Sequence, residues 1–191
     1  MTDLLKQYGA LGLDIQEVLI SEEEIQRKVH QIGQMISREY LGRNPLLVGV
    51  LKGVLFFMAD LLQAVSIPAE IDFIAVANYS AESREEGVVR LVKDLEIPIA
   101  GRHVLFVEDV IDTGLTLNYI LQNLKARQPA SLEVCVLFNK PDHRLIDIPL
   151  KYKGFDLPDR FVVGYGLDYK EKYRNLPFLG LLRPEVFRGK S

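Results

Sequence analysis

Three carboxylates fall within five residues at Glu108, Asp109 and Asp112, in the stretch VLFVEDVIDTGLTL (Val104–Leu117). Crowded carboxylates repel one another and are costly unless a cation or hydrogen-bond donors sit among them. A sugar diol meets that demand, because adjacent carboxylates can each accept from a ribose hydroxyl. A magnesium ion meets it too, since it prefers oxygen ligands and commonly takes phosphates as further partners. The residues that follow, Asp112-Thr113-Gly114-Leu115-Thr116, turn into a helix. Glycine there lets backbone N–H groups approach an anion closely, the helix N-terminus favours negative charge, and both threonine hydroxyls can donate. The stretch has the chemistry of a diol clamp followed by a phosphate cradle. An acidic helix cap would account for Asp112 and leave the other two carboxylates unexplained. The Asp-Thr-Gly of aspartic proteases belongs to β-structure, whereas this glycine opens a helix within a βα alternation.

Apolar patterning lays out the elements that must hold these groups. Ser21 with Glu24 is a capping-box pattern. Ile25, Val29, Ile32, Ile36 and Tyr40 then recur at helical spacing towards a stop at Gly42. LLVGVL (Leu46–Leu51) is a continuous apolar run expected as a fully buried strand, broken by Lys52-Gly53 before a helix over Val54–Val65. Glu70–Asn78 is expected as a strand, Tyr79–Gly87 as a polar loop and Val88–Lys93 as extended. A strand over Val104–Val107, a helix over Leu115–Ala126, a strand over Leu132–Phe138 and another over Phe161–Gly164 complete the pattern. This alternation predicts an α/β fold with a central parallel sheet flanked by helices. In such sheets ligands sit at the carboxyl ends of the strands. The polar groups selected by that rule are Lys52-Gly53, Asn78-Tyr79, Glu108-Asp109 with Asp112, and Asn139-Lys140.

Length and composition narrow the classes of function. A chain of 191 residues is expected to form one domain over residues 1–191, large enough to bury a core without staples. Its 48% hydrophobic and 26% charged residues are those of an ordinary globular protein. The net charge of −3 and the absence of a basic stripe argue against nucleic acid as a partner, so any anion must be held by local features. The single cysteine, Cys135 in LEVCVLF, reads as a small buried hydrophobe and cannot form an internal disulfide, which fits a reducing compartment. No secretory pattern opens the chain, and the longest apolar stretch, Val54–Val65, is interrupted by Asp60 and Gln63 and too short to span a bilayer. A cytoplasmic protein without a membrane partner is expected. His30, His103 and His143 show no metal-ligand spacing and read as structural or solvated.

VLFVEDVIDTGLTL resembles the phosphoribosyl-pyrophosphate signature of the type I phosphoribosyltransferases, most of all their hypoxanthine-guanine branch. The likeness extends through LVGVLKGVLFF (Leu47–Phe57), LFNKPDHR (Leu137–Arg144) and FVVGYGLDYKEKYRNLP (Phe161–Pro177). It implies that fold, with a small hood formed by N- and C-terminal segments. It also implies a purine-salvage enzyme that uses phosphoribosyl pyrophosphate, a purine base and Mg2+, and that assembles as a homodimer or homotetramer. By the resemblance, Glu108 and Asp109 bind the ribose 2′- and 3′-hydroxyls directly or through magnesium, and Asp112 is the general base or acid near purine N7. Asp112, Thr113, Gly114, Leu115 and Thr116 hold the 5′-phosphate. The Lys52-Gly53 peptide meets the pyrophosphate, in a loop that in this family often carries a cis non-proline peptide. Lys140 donates to the 6-oxo group, and because lysine cannot accept it favours 6-oxopurines over adenine. Phe161 stacks on the base, Val162 reads its edge through the backbone, Asp168 ligates a second magnesium and Arg174 pairs with pyrophosphate.

For Lys52 a solvated turn, and for Phe161 plain core packing, are the alternatives. For the whole chain they are a nucleotide-binding regulator of the same fold, or a base preference shifted to xanthine. The loop from Tyr79 to Gly87 departs from the family, which usually has a serine before the tyrosine and Ser-Ser-Gly at the loop's end. Here Asn78 and Glu85-Glu86 stand instead. Glutamates near a pyrophosphate repel it, so weaker closure is expected, and serine at both positions should lower the KM for the phosphoribosyl donor.

Overall fold

A computed structural model describes residues 3–78 and 89–187. The loop Tyr79–Gly87, with Tyr79, Glu85 and Glu86, and the adjoining Val88 lie outside the described residues. Two short helices, α1 (Asp3–Lys6) and α2 (Gly9–Leu13), lead to strand β1 (Ile15–Ile20) and helix α3 (Glu22–Glu39). There follow β2 (Leu46–Leu51), α4 (Leu55–Ala64), β3 (Glu70–Asn78), β4 (Val89–Lys93), β5 (His103–Ile111), α5 (Leu115–Lys125) and β6 (Ser131–Asn139). A single 3-10 turn, Pro141–His143, precedes β7 (Tyr152–Asp156), β8 (Val162–Val163), β9 (Leu179–Leu182) and the short α6 (Pro184–Phe187).

Helix α3 starts where its capping box places it. The Glu24 amide donates to Ser21 Oγ at 3.2 Å, and the Ser21 amide donates back to Glu24 Oε2 at 2.8 Å. Its buried stripe of Ile25, Val29, Ile32 and Ile36 packs on α4, where Phe57, Met58 and Leu61 are buried.

The main sheet has the order β4-β3-β2-β5-β6-β7. Its strands are parallel except β4, which runs antiparallel to β3 at the edge. Strand β2, β5 over Val104–Val107 and β6 over Val134–Phe138 are continuously apolar because both faces are covered. Leu47, Val107, Cys135 and Leu137 join α3 and α4 on one face, while Leu46, Val48, Phe106 and Val136 join Leu117, Ile120 and Leu124 of α5 on the other. From β2 the chain builds outward to β3, and from β5 it builds outward the other way to β6 and β7. The direction of winding therefore reverses between β2 and β5, and a crevice opens there at the strands' carboxyl ends.

Strand β5 runs past the expected end at Val107. Pairing with β6 continues through Val110↔Phe138 and Ile111↔Asn139, so Glu108 and Asp109 sit in the ladder itself. A second, antiparallel sheet of order β1-β9-β8 forms the hood. Leu5, Ile15, Val163, Tyr173, Leu176, Phe178 and Leu182 make its own small core. The strand expected at Phe161–Gly164 shrinks to Val162–Val163 and belongs to this hood rather than to the main sheet. Among the described residues no helix is long and apolar enough to cross a membrane.

Candidate active site

The crevice between β2 and β5 is a cavity of about 490 Å³, within the usual range for small-molecule sites. Gly53, Glu108, Asp109, Asp112, Thr113, Gly114, Thr116, Lys140, Phe161, Val162, Asp168 and Arg174 all line it. Most of the residues selected from sequence thus converge on one place.

Its floor is acidic. Asp109 is 8% exposed, and its Oδ1 accepts from the Val110 amide at 2.9 Å. Glu108 Oε2 is enclosed and, among the described residues, meets no hydrogen-bond donor. Burial, reinforced by the charge of Asp109, pushes the Glu108 carboxyl well above its ordinary value. Burial also pushes Asp109 up to about 6; the charge of Asp168 adds to this, while backbone donors and Arg174 oppose it. A carboxylate oxygen enclosed without a donor, beside a second, buried carboxyl held by a backbone amide, forms a site that hydroxyl groups or a divalent cation would complete.

Three loops interlock around that floor. A Cβ on Gly53 would fall 2.0 Å from Asp109 Oδ2, and a Cβ on Gly166 would fall 2.0 Å from the Gly53 carbonyl oxygen. Glycine is required at both positions for backbone to approach so closely. The Leu51–Lys52 peptide is cis, as the resemblance implied. Lys52 reaches outward, with Nζ 2.9 Å from Glu171 Oε2. Arg174 donates to the Gly166 carbonyl at 2.7 Å and lies 2.8 Å from Asp168 Oδ1 and 3.3 Å from Glu171 Oε1. The Glu171 amide in turn donates to Asp168 Oδ2 at 2.9 Å. Asp168 and Arg174 therefore share the cleft as a pair, tied to Lys52 through Glu171.

The wall beyond the acids is the start of α5. Its N-cap is Gly114 at φ +82°, with no side-chain cap. Asp112 does not cap the helix. It is 54% exposed, and its Oδ1 lies 2.7 Å from His143 Nδ1. Thr113 Oγ1 accepts from the Leu115 amide at 3.4 Å, and the Thr113 carbonyl accepts from the Leu145 amide at 3.0 Å. Leu115 and Thr116 are exposed on the first turn.

A second cavity, about 570 Å³, continues from Asp112, Lys140 and Phe161 towards His143, Asp159 and Arg160. Lys140 Nζ donates to the Arg160 carbonyl at 3.2 Å. Phe161 is 39% exposed, so plain core packing does not describe it. One face stacks on Phe187 at 5.0 Å between centroids, and Tyr169 meets it edge-on at 5.5 Å. His143, expected to be structural or solvated, instead bridges two carboxylates, with Nε2 2.6 Å from Asp159 Oδ1. Neither His143 nor Asp159 stood out in sequence, because a lone histidine carries no spacing signal and its partners come from separate loops. Glu171 and Gly166 lay inside a recognised motif without being singled out.

Residues 18–170 match the phosphoribosyl transferase domain family. The chain is 47% identical over 176 residues to hypoxanthine-guanine phosphoribosyltransferase of Bacillus subtilis, covering 92% of this chain and 98% of that one. It is 48% identical over 174 residues to the enzyme of that name from Streptococcus agalactiae, covering 91% and 97%. The same identity over 174 residues relates it to the bifunctional protein TilS/HprT of Listeria monocytogenes, of whose length the match covers 27%. A solved hypoxanthine phosphoribosyltransferase from Staphylococcus aureus is similar with a TM-score of 0.89 and 42% identity, over 94% of this chain and 97% of that one. Likeness of this extent, with two curated enzymes and a solved structure matched almost from end to end, fixes the lineage: the chain belongs to the phosphoribosyl transferase family, on its hypoxanthine-guanine phosphoribosyltransferase branch.

Proposed function

We propose that this chain is a purine-salvage enzyme of the cytoplasm. It transfers the phosphoribosyl group of phosphoribosyl pyrophosphate to hypoxanthine, guanine or both and releases pyrophosphate. The observation that carries the proposal is the Glu108–Asp109 pair on the floor of the cleft, with Glu108 Oε2 enclosed and without a donor among the described residues, just before Asp112 and the glycine-capped start of α5. Glu108 and Asp109 accept from the ribose hydroxyls, and the backbone amides and hydroxyls of Asp112–Thr116 hold the 5′-phosphate. The Lys52-Gly53 backbone and Arg174 take the pyrophosphate.

On the other side of the anomeric carbon, Phe161 stacks on the purine, Lys140 donates to its 6-oxo oxygen and the Val162 backbone reads its edge. A purine nitrogen forms its bond to the anomeric carbon as the bond to pyrophosphate oxygen breaks. Asp112 accepts the proton that the base gives up.

Glu108, Asp109 and Asp168 would hold Mg2+. Their carboxylate oxygens suit that ion. Among the described residues no group of three or more ligating side chains is placed to hold a metal by itself, but magnesium needs one or two carboxylates when substrate phosphates complete its shell. When bound, it supplies neutralisation of charge on the leaving group. We also propose a homodimer or homotetramer; for the Trypanosoma cruzi relative, 38% identical with a TM-score of 0.85, the C-terminal region bears on oligomeric state and enzymatic activity.

The test is incubation with magnesium, phosphoribosyl pyrophosphate and, separately, hypoxanthine, guanine, xanthine and adenine. Nucleotide is expected from the first two. No product from any base would remove the proposal, and product from xanthine alone would reassign the acceptor.

A further inference from the structure

We propose that His143 is a positioning residue for Asp112. As an imidazolium it clamps one oxygen of the Asp112 carboxylate so that the other faces the purine cavity, and the clamp loosens when the ring loses its proton and with it one of its two carboxylate partners. The proposal rests on Asp112 being the group that accepts the purine proton.

Asp112 needs such a partner. It stands on a turn, 54% exposed, and gives no cap to α5, so nothing in its own segment fixes its side chain. His143 reaches it from the 3-10 turn that follows β6. Nδ1 lies 2.7 Å from Asp112 Oδ1, and Nε2 lies 2.6 Å from Asp159 Oδ1 on the connection between β7 and β8. A neutral imidazole carries one N–H, whereas two carboxylates at these distances call for two donors. Both contacts therefore hold while the ring is charged. Loss of the proton turns one of them into a lone pair facing a carboxylate, which is repulsive.

With Oδ1 occupied, Oδ2 is the oxygen left for a substrate proton, on a residue that lines both cavities together with Lys140 and Phe161. Other charges around the ring do not replace the clamp. Lys140 donates to the Arg160 carbonyl, and Arg144 on the ring's own turn donates to Asn139 Oδ1. Asp142 adjoins the ring in the same turn, and the Arg160 side chain lines the same cavity. The hydrogen bond to Asp112, with Asp159 adding its charge, holds the imidazole above its ordinary value against a smaller effect of burial. The charged form thus persists to higher pH than for a free histidine.

Three variants separate this role from a general structural one. His143→Asn keeps an uncharged donor near the Nδ1 position, His143→Gln keeps one near Nε2, and His143→Ala keeps neither. kcat is expected to fall about tenfold in His143→Ala, at the low end of what losing an orienting partner costs. His143→Asn should restore part of the rate and His143→Gln little of it, with KM for the phosphoribosyl donor unchanged throughout. The wild-type profile of kcat against pH should show an alkaline decline that is missing in all three variants. The ring itself is titrated by NMR, its signal identified among the protein's three histidines by its absence in His143→Ala. Its pKa should lie above the unperturbed value of about 6.5 and drop in both Asp112→Asn and Asp159→Asn. Wild-type kcat with the alkaline decline intact in His143→Ala would overturn the proposal, and so would a ring titrating at the ordinary value. If the wild type made nucleotide from no base, the proposed function would fall, and the NMR titration would still decide the clamp.

Discussion

Asp112 is the one of the three crowded carboxylates that stays at the surface, and its chemistry follows from that. Glu108 Oε2 is enclosed and Asp109 is 8% exposed, which makes them receivers of donors, whereas the exposed Asp112 carboxylate is open to a base bound in the cleft. Asp112→Ala should lower kcat by about 10²–10⁴, the range for losing a general acid–base, with little change in KM for the donor. Steady-state kinetics with hypoxanthine checks this, and a near-normal rate would place the proton elsewhere. At this scale the sequence was informative about Glu108, Asp109 and Asp112, because mutual repulsion is a local property with a local signature. It was silent about the His143 bridge and about the contact of Gly53 with Asp109 and Gly166. Those depend on loops that are far apart in the chain and meet through sheet order.

Elements succeed or fail here on how their ends are tied. Gly114 caps α5 at φ +82°, and a Cβ there would lie 3.2 Å from both Arg144 Cδ and the Ile146 carbonyl oxygen. Gly114→Ala therefore combines left-handed strain with tight contacts and should cost about 1–2 kcal/mol of stability from the backbone alone. It should also weaken binding of the phosphoribosyl donor, because the same turn presents the α5 amides. Urea unfolding and calorimetric binding read the two effects separately. A stable variant with normal binding would mean that the turn relaxes freely.

Asp72 ties β3 to the connection between β4 and β5. At 7% exposure it accepts from the Glu96 amide at 2.7 Å and the Ile97 amide at 2.9 Å. Burial alone would raise this carboxyl, but the amides of Ile97, Phe73 and Glu96, with Lys93, outweigh it and hold the carboxyl below its ordinary value. A depressed folded pKa contributes stability that is present above the unfolded value near 3.9 and lost as pH falls through the folded one. Asp72→Asn should cost about 1–3 kcal/mol at neutral pH, with the gap closing in acid as the wild type loses the same contribution. Urea midpoints at neutral and acid pH test this, and a gap that persists in acid would exclude the charge as its source. The main-sheet elements other than β7 were legible because buried strands and amphipathic helices carry periodicity, whereas the short YKGFD of β7 holds a glycine and two charged residues. In the hood only the run around Val162–Val163 was legible as a strand; Leu179–Leu182 is too short to show a period and takes its strand character from β1 and β8.

For the molecule as a whole, the site is a place where folding gives up stability. The reversal between β2 and β5 puts Glu108 and Asp109 just past the apolar run Val104–Val107, and among the described residues nothing satisfies Glu108 Oε2. Both carboxyls are raised, so the sign is opposite to that of Asp72. At low pH the folded and unfolded states hold the same protons and the pair costs nothing. As pH rises through the unfolded values near 4, the unfolded chain ionises first and the folded state loses ground until its own carboxyls follow, Asp109 at about 6 and Glu108 well above its ordinary value. The double variant Glu108→Gln, Asp109→Asn should therefore have a higher Tm than the ligand-free wild type. The advantage should be small near pH 4 and full above the raised values, with each kcal/mol recovered moving Tm by roughly 2–4 °C in a chain of this size. The same variant should lose binding of the phosphoribosyl donor, because the amides present N–H groups where the ribose hydroxyls need acceptors. Scanning calorimetry across pH, with and without magnesium and the donor, measures both consequences in one series. Ligand should raise the Tm of the wild type most at alkaline pH and leave the variant unmoved. A variant no more stable than the wild type at alkaline pH would mean that the folded protein satisfies the pair internally, and that the acids are structural rather than held ready for a diol or a cation.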